Sequence, residues 1–198
     1  MKKLLIILLV MAMNTAFSKE IKLNNPDLND PFLKMLNNRI STREYDKNKD
    51  IDNQTLSNIL WSAFGITRKS DDNKRTIPTA LNKQDLEIYV IKKNGVWLYD
   101  AIKQQIIQIS NKNLFKYFNK QDYVDNAPLI LLYTSKENEA EDFSLMHAGS
   151  AYQNVAIYCA EHNLGNVVRG YFDKDNLAKE LNINDDKIIT SQVIGYKK

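Results

Sequence analysis

The stretch that decides the fold is FSLMHAGSAYQNVAIYCAEHN, residues 143–163. It predicts the longest helix of the chain, and apolar or small residues occupy most of the circumference of that helix. A helix with so little polar surface has to be buried on several sides. Small residues cluster between Ala148 and Ala151, so another helix could approach closely there.

Strand patterns lie on both sides of this helix. Asn94-Gly95 stands between two apolar runs and predicts a β-hairpin, because both residue types accept a positive φ. A continuous apolar run after Pro128 is typical of a strand that is buried on both faces. The predicted strands are residues 86–91, 96–99, 106–109, 129–133 and 188–194.

Shorter helices are predicted elsewhere in the chain. They cover about residues 31–38, the apolar-periodic stretch from Asp52 or Asn53 to Phe64, residues 113–118, and the segment after Asp173. Gly65 is predicted as the residue just past the second helix, and residues 67–76 as a polar, mobile loop. Helices and strands mix without a strict βαβ rhythm, which indicates one α+β domain, residues 19–198, with a largely antiparallel sheet.

The first eighteen residues are expected to lie outside that domain. Lys2 and Lys3 precede a short apolar run, and Ala16-Phe17-Ser18 resembles a cleavage site. This pattern is typical of a secretory signal peptide, so residues 1–18 are predicted to direct export to the periplasm or the medium. The alternative is a short membrane anchor; after cleavage, no membrane association is expected. A lipoprotein is excluded because no cysteine follows the apolar run.

The charge and the cysteine count exclude several classes of function. The formal net charge is only +3, and the basic residues are scattered among acidic ones, which argues against a nucleic-acid partner. Cys159 is the only cysteine, so no internal disulfide can form, and its apolar surroundings indicate a core residue. His147 and His162 have no cysteine or carboxylate at ligand spacing, so no metal site is predicted.

Three segments are candidates for binding a ligand. An extended backbone at residues 39–45 would place Arg39, Ser41 and Arg43 on one side, where they could converge on an anion. Residues 76–87 form a proline-started loop, in which Asn82 could offer a donor and an acceptor to a planar heterocycle. Residues 164–170 follow the long helix, and Gly165 would let a ligand approach the backbone. Taken alone, each segment also fits an ordinary structure without a ligand. Residues 39–45 could be a solvated charged loop, residues 76–87 a turn, and residues 164–170 a helix C-cap.

The order of these pieces resembles the nitroreductase family, and in particular its exported or SagB-type dehydrogenase-like branch. The resemblance extends over about residues 31–198. No glycine-rich phosphate loop is present, which agrees with a family that binds FMN without one. The motifs that carry the resemblance are residues 39–43, 60–68, 75–82, 147–154, 164–166 and 194–196.

The resemblance implies an intertwined homodimer with FMN at its interface. Arg39 and Ser41 would hold the phosphate, and Arg43 would lie near the flavin pyrimidine. Thr79 and Asn82 would contact the polar edge of the isoalloxazine, and the backbone of Gly165 and Asn166 would approach N5. Many relatives supply a basic pair to the phosphate beyond this point of the chain; here Lys197 or Lys198 is the candidate substitute.

The resemblance also implies a reaction. NAD(P)H, or another donor, would transfer hydride through flavin N5 to a small oxidised acceptor such as a nitro compound or a quinone. No side chain is required as an acid or a base, so no catalytic residue is assigned. Two alternatives remain open: an FMN-dependent azoline-type dehydrogenase or oxidase of the same fold, and a non-catalytic exported protein that binds flavin or another ligand.

Overall fold

The computed structural model describes residues 20–137 and 142–198. The predicted signal peptide, residues 1–18, lies outside the described residues. Within them there are four α-helices: α1 (Pro31–Asn38), α2 (Asn53–Phe64), α3 (Asp142–Glu161) and α4 (Lys174–Leu181). The strands in chain order are β1 (Ile66–Arg68), β2 (Lys74–Arg75), β3 (Leu86–Lys92), β4 (Gly95–Asp100), β5 (Gln105–Ser110), β6 (Leu129–Ser135), β7 (Leu164–Arg169) and β8 (Ile188–Tyr196).

A six-stranded sheet in the order β5-β4-β3-β6-β8-β7 forms the centre of the domain, and every pair in it is antiparallel. This confirms the predicted α+β fold with an antiparallel central sheet. The hairpin β3–β4 is also confirmed, but Lys92 pairs with Gly95, so Lys93 and Asn94 form its turn. Of the predicted turn pair, only Gly95 has a positive φ.

Both faces of the sheet are buried, because side chains of a strand alternate between its two faces. In β3, Ile88 and Val90 pack on the side of α2 and α3, whereas Tyr89 and Ile91 pack on the opposite side. The opposite side is covered by α4 and by short 3₁₀ turns near residues 115–117 and 122–126. All seven residues of β6 are buried, which explains why that strand is an uninterrupted apolar run in the sequence.

Four of the predicted helices are confirmed, whereas the helix predicted at residues 113–118 is only a short 3₁₀ turn at Phe115–Tyr117. The carboxylate of Asp30 accepts hydrogen bonds from two N–H groups at the start of α1, and Asp52 and Asp173 cap α2 and α4 in the same way. Helix α3 packs against α1, α2 and β7. It begins at Asp142 and ends at Glu161, two residues before the predicted end.

Two local predictions are wrong. Residues 67–76 are not a loop throughout, since β1 and β2 pair within them as a small hairpin. Residues 164–169, expected to be the end of the long helix or its C-cap, are the edge strand β7. Gly65 directly follows α2, as predicted, but its backbone is extended; a Cβ there would lie 2.4 Å from the Trp61 ring, so close packing rather than a left-handed φ requires glycine.

Among the described residues, no helix combines the length and the apolarity that crossing a bilayer would require.

Candidate functional site

The segment after α1 runs along the free edge of the sheet. Arg39 ends α1 with an extended backbone, and Thr42 N–H donates a hydrogen bond to Asn166 O at 2.8 Å. Tyr45 pairs with Lys197 in an isolated antiparallel bridge. The hydroxyl of Tyr45 donates to Thr42 O at 2.7 Å. These contacts hold residues 39–45 against β7 and the end of β8.

The polar side chains of this segment have no neutralising partner. Arg39, Ser41 and Arg43 alternate along it, and none of the three side chains forms a hydrogen bond or an ion pair with a described residue. Arg43 makes a cation–π contact, in which its guanidinium lies 6.0 Å from the centroid of the Tyr123 ring. Two guanidiniums and one hydroxyl are therefore free to bind an anion.

Gly165 allows this segment to lie so close to the sheet. A Cβ at Gly165 would lie 2.9 Å from the Thr42 side chain, a distance that real Cβ atoms do not show. The side chain of its neighbour Asn166 is buried, and its Oδ1 accepts a hydrogen bond from Gln192 Nε2 at 2.9 Å. Gln192 in turn accepts from the buried Tyr133 hydroxyl at 2.7 Å. The side-chain oxygen of Asn166 is therefore engaged by Gln192, and its backbone carbonyl is engaged by Thr42.

The two C-terminal lysines lie near the same edge. Lys197 N–H donates to Asn163 O at 3.2 Å, which ties the last residues to the end of the long helix. Lys198 and Arg43 both line a cavity of about 360 Å³. The structure therefore brings Arg39, Ser41, Arg43, Gly165, Asn166 and Lys197 into one region.

The other two predicted residues, Thr79 and Asn82, lie in a different region. They belong to a tight loop, residues 79–84, in which Leu81, Asn82 and Gln84 have positive φ values. Gln84 holds the loop together, because its N–H donates to Thr79 Oγ1 at 3.3 Å and its Nε2 donates to Asn82 Oδ1 at 3.1 Å. Thr79 and Asn82 line a cavity of about 460 Å³.

A buried histidine anchors this loop to the start of α3. Ala80 N–H donates to His147 Nε2 at 2.8 Å, so that nitrogen carries no proton. The proton is therefore on Nδ1, which lies 2.6 Å from Asp85 Oδ1. Ser144 Oγ donates to the other oxygen of Asp85 at 2.6 Å. His147 and Asp85 are 4% and 2% exposed, so the contact is shielded from water.

The ionised form of Asp85 is stabilised where it is buried. Burial acts to raise the pKa of this carboxyl, but the hydrogen bonds from Ser144 and His147 outweigh that effect. The net pKa of Asp85 is below its ordinary value. A carboxylate that stays ionised keeps His147 in the tautomer that can accept from Ala80.

Sequence reasoning missed the residues that position this loop: His147, Asp85, Ser144 and Gln84. His147 and Asp85 are separated by 62 residues, and nothing in their spacing predicts the contact. The sequence indicates only part of this arrangement, namely a serine and a histidine three residues apart at the start of an apolar helix. That spacing places both on one face of the helix.

The two regions are far apart within one chain. His147 lies near the first turn of α3, and Gly165 follows the last turn. Fourteen helical residues separate His147 from Glu161, which corresponds to about 21 Å along the axis. The predicted site residues therefore lie in two groups, the half-sites, which are anchored near opposite ends of α3.

The fold and these half-sites define an α+β domain with an antiparallel central sheet and without a glycine-rich phosphate loop. The nitroreductase family matches residues 36–196, and the chain belongs to that family. No curated protein matches the sequence significantly.

Solved structures agree with this assignment. A protein assigned as a nitroreductase from Ralstonia eutropha is 31% identical, with a TM-score of 0.77, and the alignment covers 90% of this chain and 89% of that one. A protein assigned as a nitroreductase from Desulfovibrio desulfuricans was solved in complex with FMN and has a TM-score of 0.61 at 18% identity. The alignment covers 85% of this chain and 87% of that one. At that identity the likeness concerns the fold alone.

A third structure comes from a different biochemical setting. The Escherichia coli microcin synthetase complex, solved with a truncated microcin precursor, contains a chain with a TM-score of 0.68 to this one. The identity is 16%, and the alignment covers 94% of this chain and 81% of the other. This likeness again concerns the fold.

Proposed function

We propose that this protein is an exported, homodimeric, FMN-dependent oxidoreductase. The observation that carries the proposal is the group of unneutralised polar side chains at the edge of β7: Arg39, Ser41 and Arg43. Two guanidiniums with no carboxylate partner favour an organic phosphate, which they can bind through charge-assisted hydrogen bonds. FMN, when bound, supplies the chemistry of accepting and giving hydride at N5.

The dimer follows from the two half-sites. A second copy related by a twofold axis, with its α3 antiparallel to the first, would bring the Thr79–Asn82 loop of one subunit to the Gly165 end of the other. Two identical composite sites would result. The exposed apolar side chains at the start of α3 support this arrangement: Phe143 and Leu145 are about half exposed, and Met146 is 66% exposed.

In such a composite site the two half-sites would contact different parts of FMN. Arg39, Ser41 and Lys197 would bind the phosphate, and Arg43 would place positive charge near the flavin pyrimidine. Thr79 and Asn82 would hydrogen-bond the polar edge of the ring, while the backbone at Gly165 and Asn166 would lie against N5. The Asp85–His147 pair supports the loop contacts, because His147 fixes the backbone of Ala80 between Thr79 and Asn82.

In each half of the reaction a hydride, which is two electrons and one proton, would be transferred. FMN held here would take the hydride from a donor such as NAD(P)H and pass it to an oxidised acceptor such as a quinone or a nitro compound. Solvent would supply the second proton that the reduced acceptor needs, and a nitro group would release water. The chain's residues orient the two substrates and exclude water, and none of them is assigned as an acid or a base. Export is proposed from residues 1–18, and comparing the cell fractions of the full and the truncated chain tests it.

A second candidate is an azoline-type dehydrogenase of the same fold, in which the substrate is oxidised by the flavin. The likeness to a chain of the microcin synthetase complex favours it. A third candidate, a non-catalytic flavin-binding or ligand-binding protein, differs from both in having no redox turnover.

One experiment separates these candidates. The freshly purified protein is examined for a flavin absorption spectrum and, after saturation with FMN, is mixed with NADH or NADPH without oxygen. Bleaching of the flavin bands supports the reductase. A flavin that stays oxidised with both donors favours the azoline-type enzyme or the binding protein. A protein that neither contains nor takes up FMN contradicts the proposal.

A further inference from the structure

The hairpin β1–β2 opens onto the cavity beside Thr79 and Asn82, and its lining is cationic. Arg68, Lys74 and Arg75 line this cavity, together with three threonines, Ile77, Pro78 and Asn82. No carboxylate is present among these lining residues. Because nothing in the lining neutralises three positive charges, the cavity carries a positive potential that favours an anion.

The strand register brings two of these cations together. In the hairpin, Arg68 pairs directly with Lys74 across the two strands. Like charges directly opposite one another destabilise an antiparallel pair. Arg68 has one ion pair, with Asp71 at 3.7 Å on the exposed turn, whereas Lys74 forms no ion pair with any described residue. An anion between the two strands would offset their repulsion.

The direct contacts that hold Arg75 in place are with neutral groups. Its Nε donates to Gln84 Oε1 at 2.8 Å, and its guanidinium lies 4.5 Å from the centroid of the Phe64 ring. Burial lowers the pKa of this guanidinium, with opposing contributions from Tyr99 and Asp100, so the charge is partly desolvated. Gln84 also donates a hydrogen bond to Asn82, so it connects Arg75 to the proposed flavin-binding loop.

An independent observation in the same lining is an orphaned hydroxyl. Thr76 Oγ1 is buried and has no hydrogen-bond partner among the described residues. A buried polar atom without a partner costs about 1–3 kcal/mol, so such atoms usually have a ligand or a water. Thr76 lines the cavity, so a change of its side-chain rotamer would let this hydroxyl donate a hydrogen bond to a bound oxyanion.

We propose that this cavity binds the anionic oxygen group, carboxylate or phosphate, of the substrate that exchanges electrons with the flavin. The inference rests on the proposed function for the position of the flavin, but the cavity itself lies within one subunit. Lys74 and Arg68 supply the charge, Arg75 a desolvated guanidinium, and Thr76 a hydroxyl. The substrate class is thus an organic anion that carries a carboxylate or a phosphate.

The test uses small redox-inert probes that differ only in charge. Equilibrium binding of benzoate, phenyl phosphate and neutral benzamide is measured by calorimetry on the full-length protein, with its flavin content recorded. Benzoate or phenyl phosphate should bind roughly five- to tenfold more tightly than benzamide, and the tighter of the two identifies the group. Lys74→Ala together with Arg68→Ala should abolish that preference.

The matched control is Lys69→Ala, which removes a lysine of the same hairpin that does not line the cavity. It should keep the preference for the anionic probes. Equal binding of all three probes by the unchanged protein, or a preference that survives in the double variant, would overturn the inference. Failure to bind FMN would instead contradict the proposed function, and the probe measurement can still be made on flavin-free protein.

Discussion

The imidazole of His147, on α3, holds the backbone N–H of Ala80 at 2.8 Å and so ties the proposed flavin-binding loop to the helix. The loop contains three non-glycine residues with a positive φ, a conformation that persists only where surrounding contacts impose it. One neutral histidine therefore links the core of the domain to the geometry of Thr79 and Asn82.

Two substitutions of His147 should separate its two hydrogen bonds. His147→Asn can still donate to Asp85 but cannot reach Ala80, whereas His147→Gln extends far enough to accept from Ala80. We expect the Asn variant to bind FMN about fivefold more weakly than the Gln variant, because one hydrogen bond contributes about 1 kcal/mol. Fluorescence titration of FMN checks this, with thermal unfolding of both variants as the control for stability. Equal FMN affinity in the two variants would contradict a positioning role.

The double substitution Arg39→Ala, Arg43→Ala should remove the flavin. Two charge-assisted hydrogen-bonding groups contribute about 1.5–3 kcal/mol each, so the dissociation constant of FMN should rise by roughly two to four orders of magnitude. The absorption spectrum after gel filtration measures the bound flavin. Lys103→Ala with Lys179→Ala removes the same charge from exposed positions elsewhere and should keep the flavin. Unchanged flavin occupancy in the arginine variant would exclude this site.

Introducing a charge on the exposed face of α3 should dissociate the proposed dimer. Met146→Asp places a carboxylate where we propose that the partner helix packs, and burying it unpaired is costly. Light scattering coupled to gel filtration should give a monomer mass and a lower flavin content. Ile107→Asp, at an exposed apolar position on β5, is the control and should leave the mass unchanged. A dimer that tolerates Met146→Asp would place the interface elsewhere.

The only cysteine should be unreactive in the folded protein. Cys159 is fully buried, and burial raises the pKa of its thiol to about 12. The thiolate, which is the reactive form, is therefore nearly absent at neutral pH. A thiol reagent such as Ellman's reagent should react only when denaturant is added, with one equivalent per chain. Rapid reaction under native conditions would show that the core around α3 opens.

Asp85 should make stability depend on pH at the acidic end. Its pKa is lower in the folded state, so the ionised form stabilises the fold above the ordinary value of about 3.9. That contribution is lost as the pH falls through the lower folded-state value. We expect Asp85→Asn to cost about 1–3 kcal/mol at neutral pH, and less in strong acid. Urea unfolding at neutral pH and in strong acid measures this difference in the free energy of unfolding. Asp122→Asn, which replaces an exposed carboxylate, is the control and should show no such change.

Much of the fold could be predicted because its signals are local. The apolar run that became β6, the periodic face of α2 and the caps at Asp30, Asp52 and Asp173 each depend on neighbours a few residues away. Strand β7 was missed for the same reason. The residues Leu164–Arg169 contain a glycine and an asparagine, which locally favour a turn, and only pairing with β8 makes them a strand.

The candidate site likewise has features that the sequence predicts and contacts that it does not. The residue types at Arg39, Ser41 and Arg43 and their alternation, which suits an anion, can be read from the sequence alone. Three other contacts could not be predicted, because they join residues far apart in the chain or across a hairpin. They are the pairing of Arg68 with Lys74, the hydrogen bond from Ala80 N–H to His147, and the contact of Thr42 with Gly165.

The sequence by itself determined the element types, the uncommon apolarity of α3 and the family to which the order of motifs belongs, because these follow from short-range periodicity and residue type. Only the tertiary structure decided that the predicted site residues form two half-sites at opposite ends of α3. The reason is geometric, because a helix of 20 residues lies between the Thr79–Asn82 loop and the region around Gly165. No local pattern in the sequence predicts which side chains pack at each end of that helix.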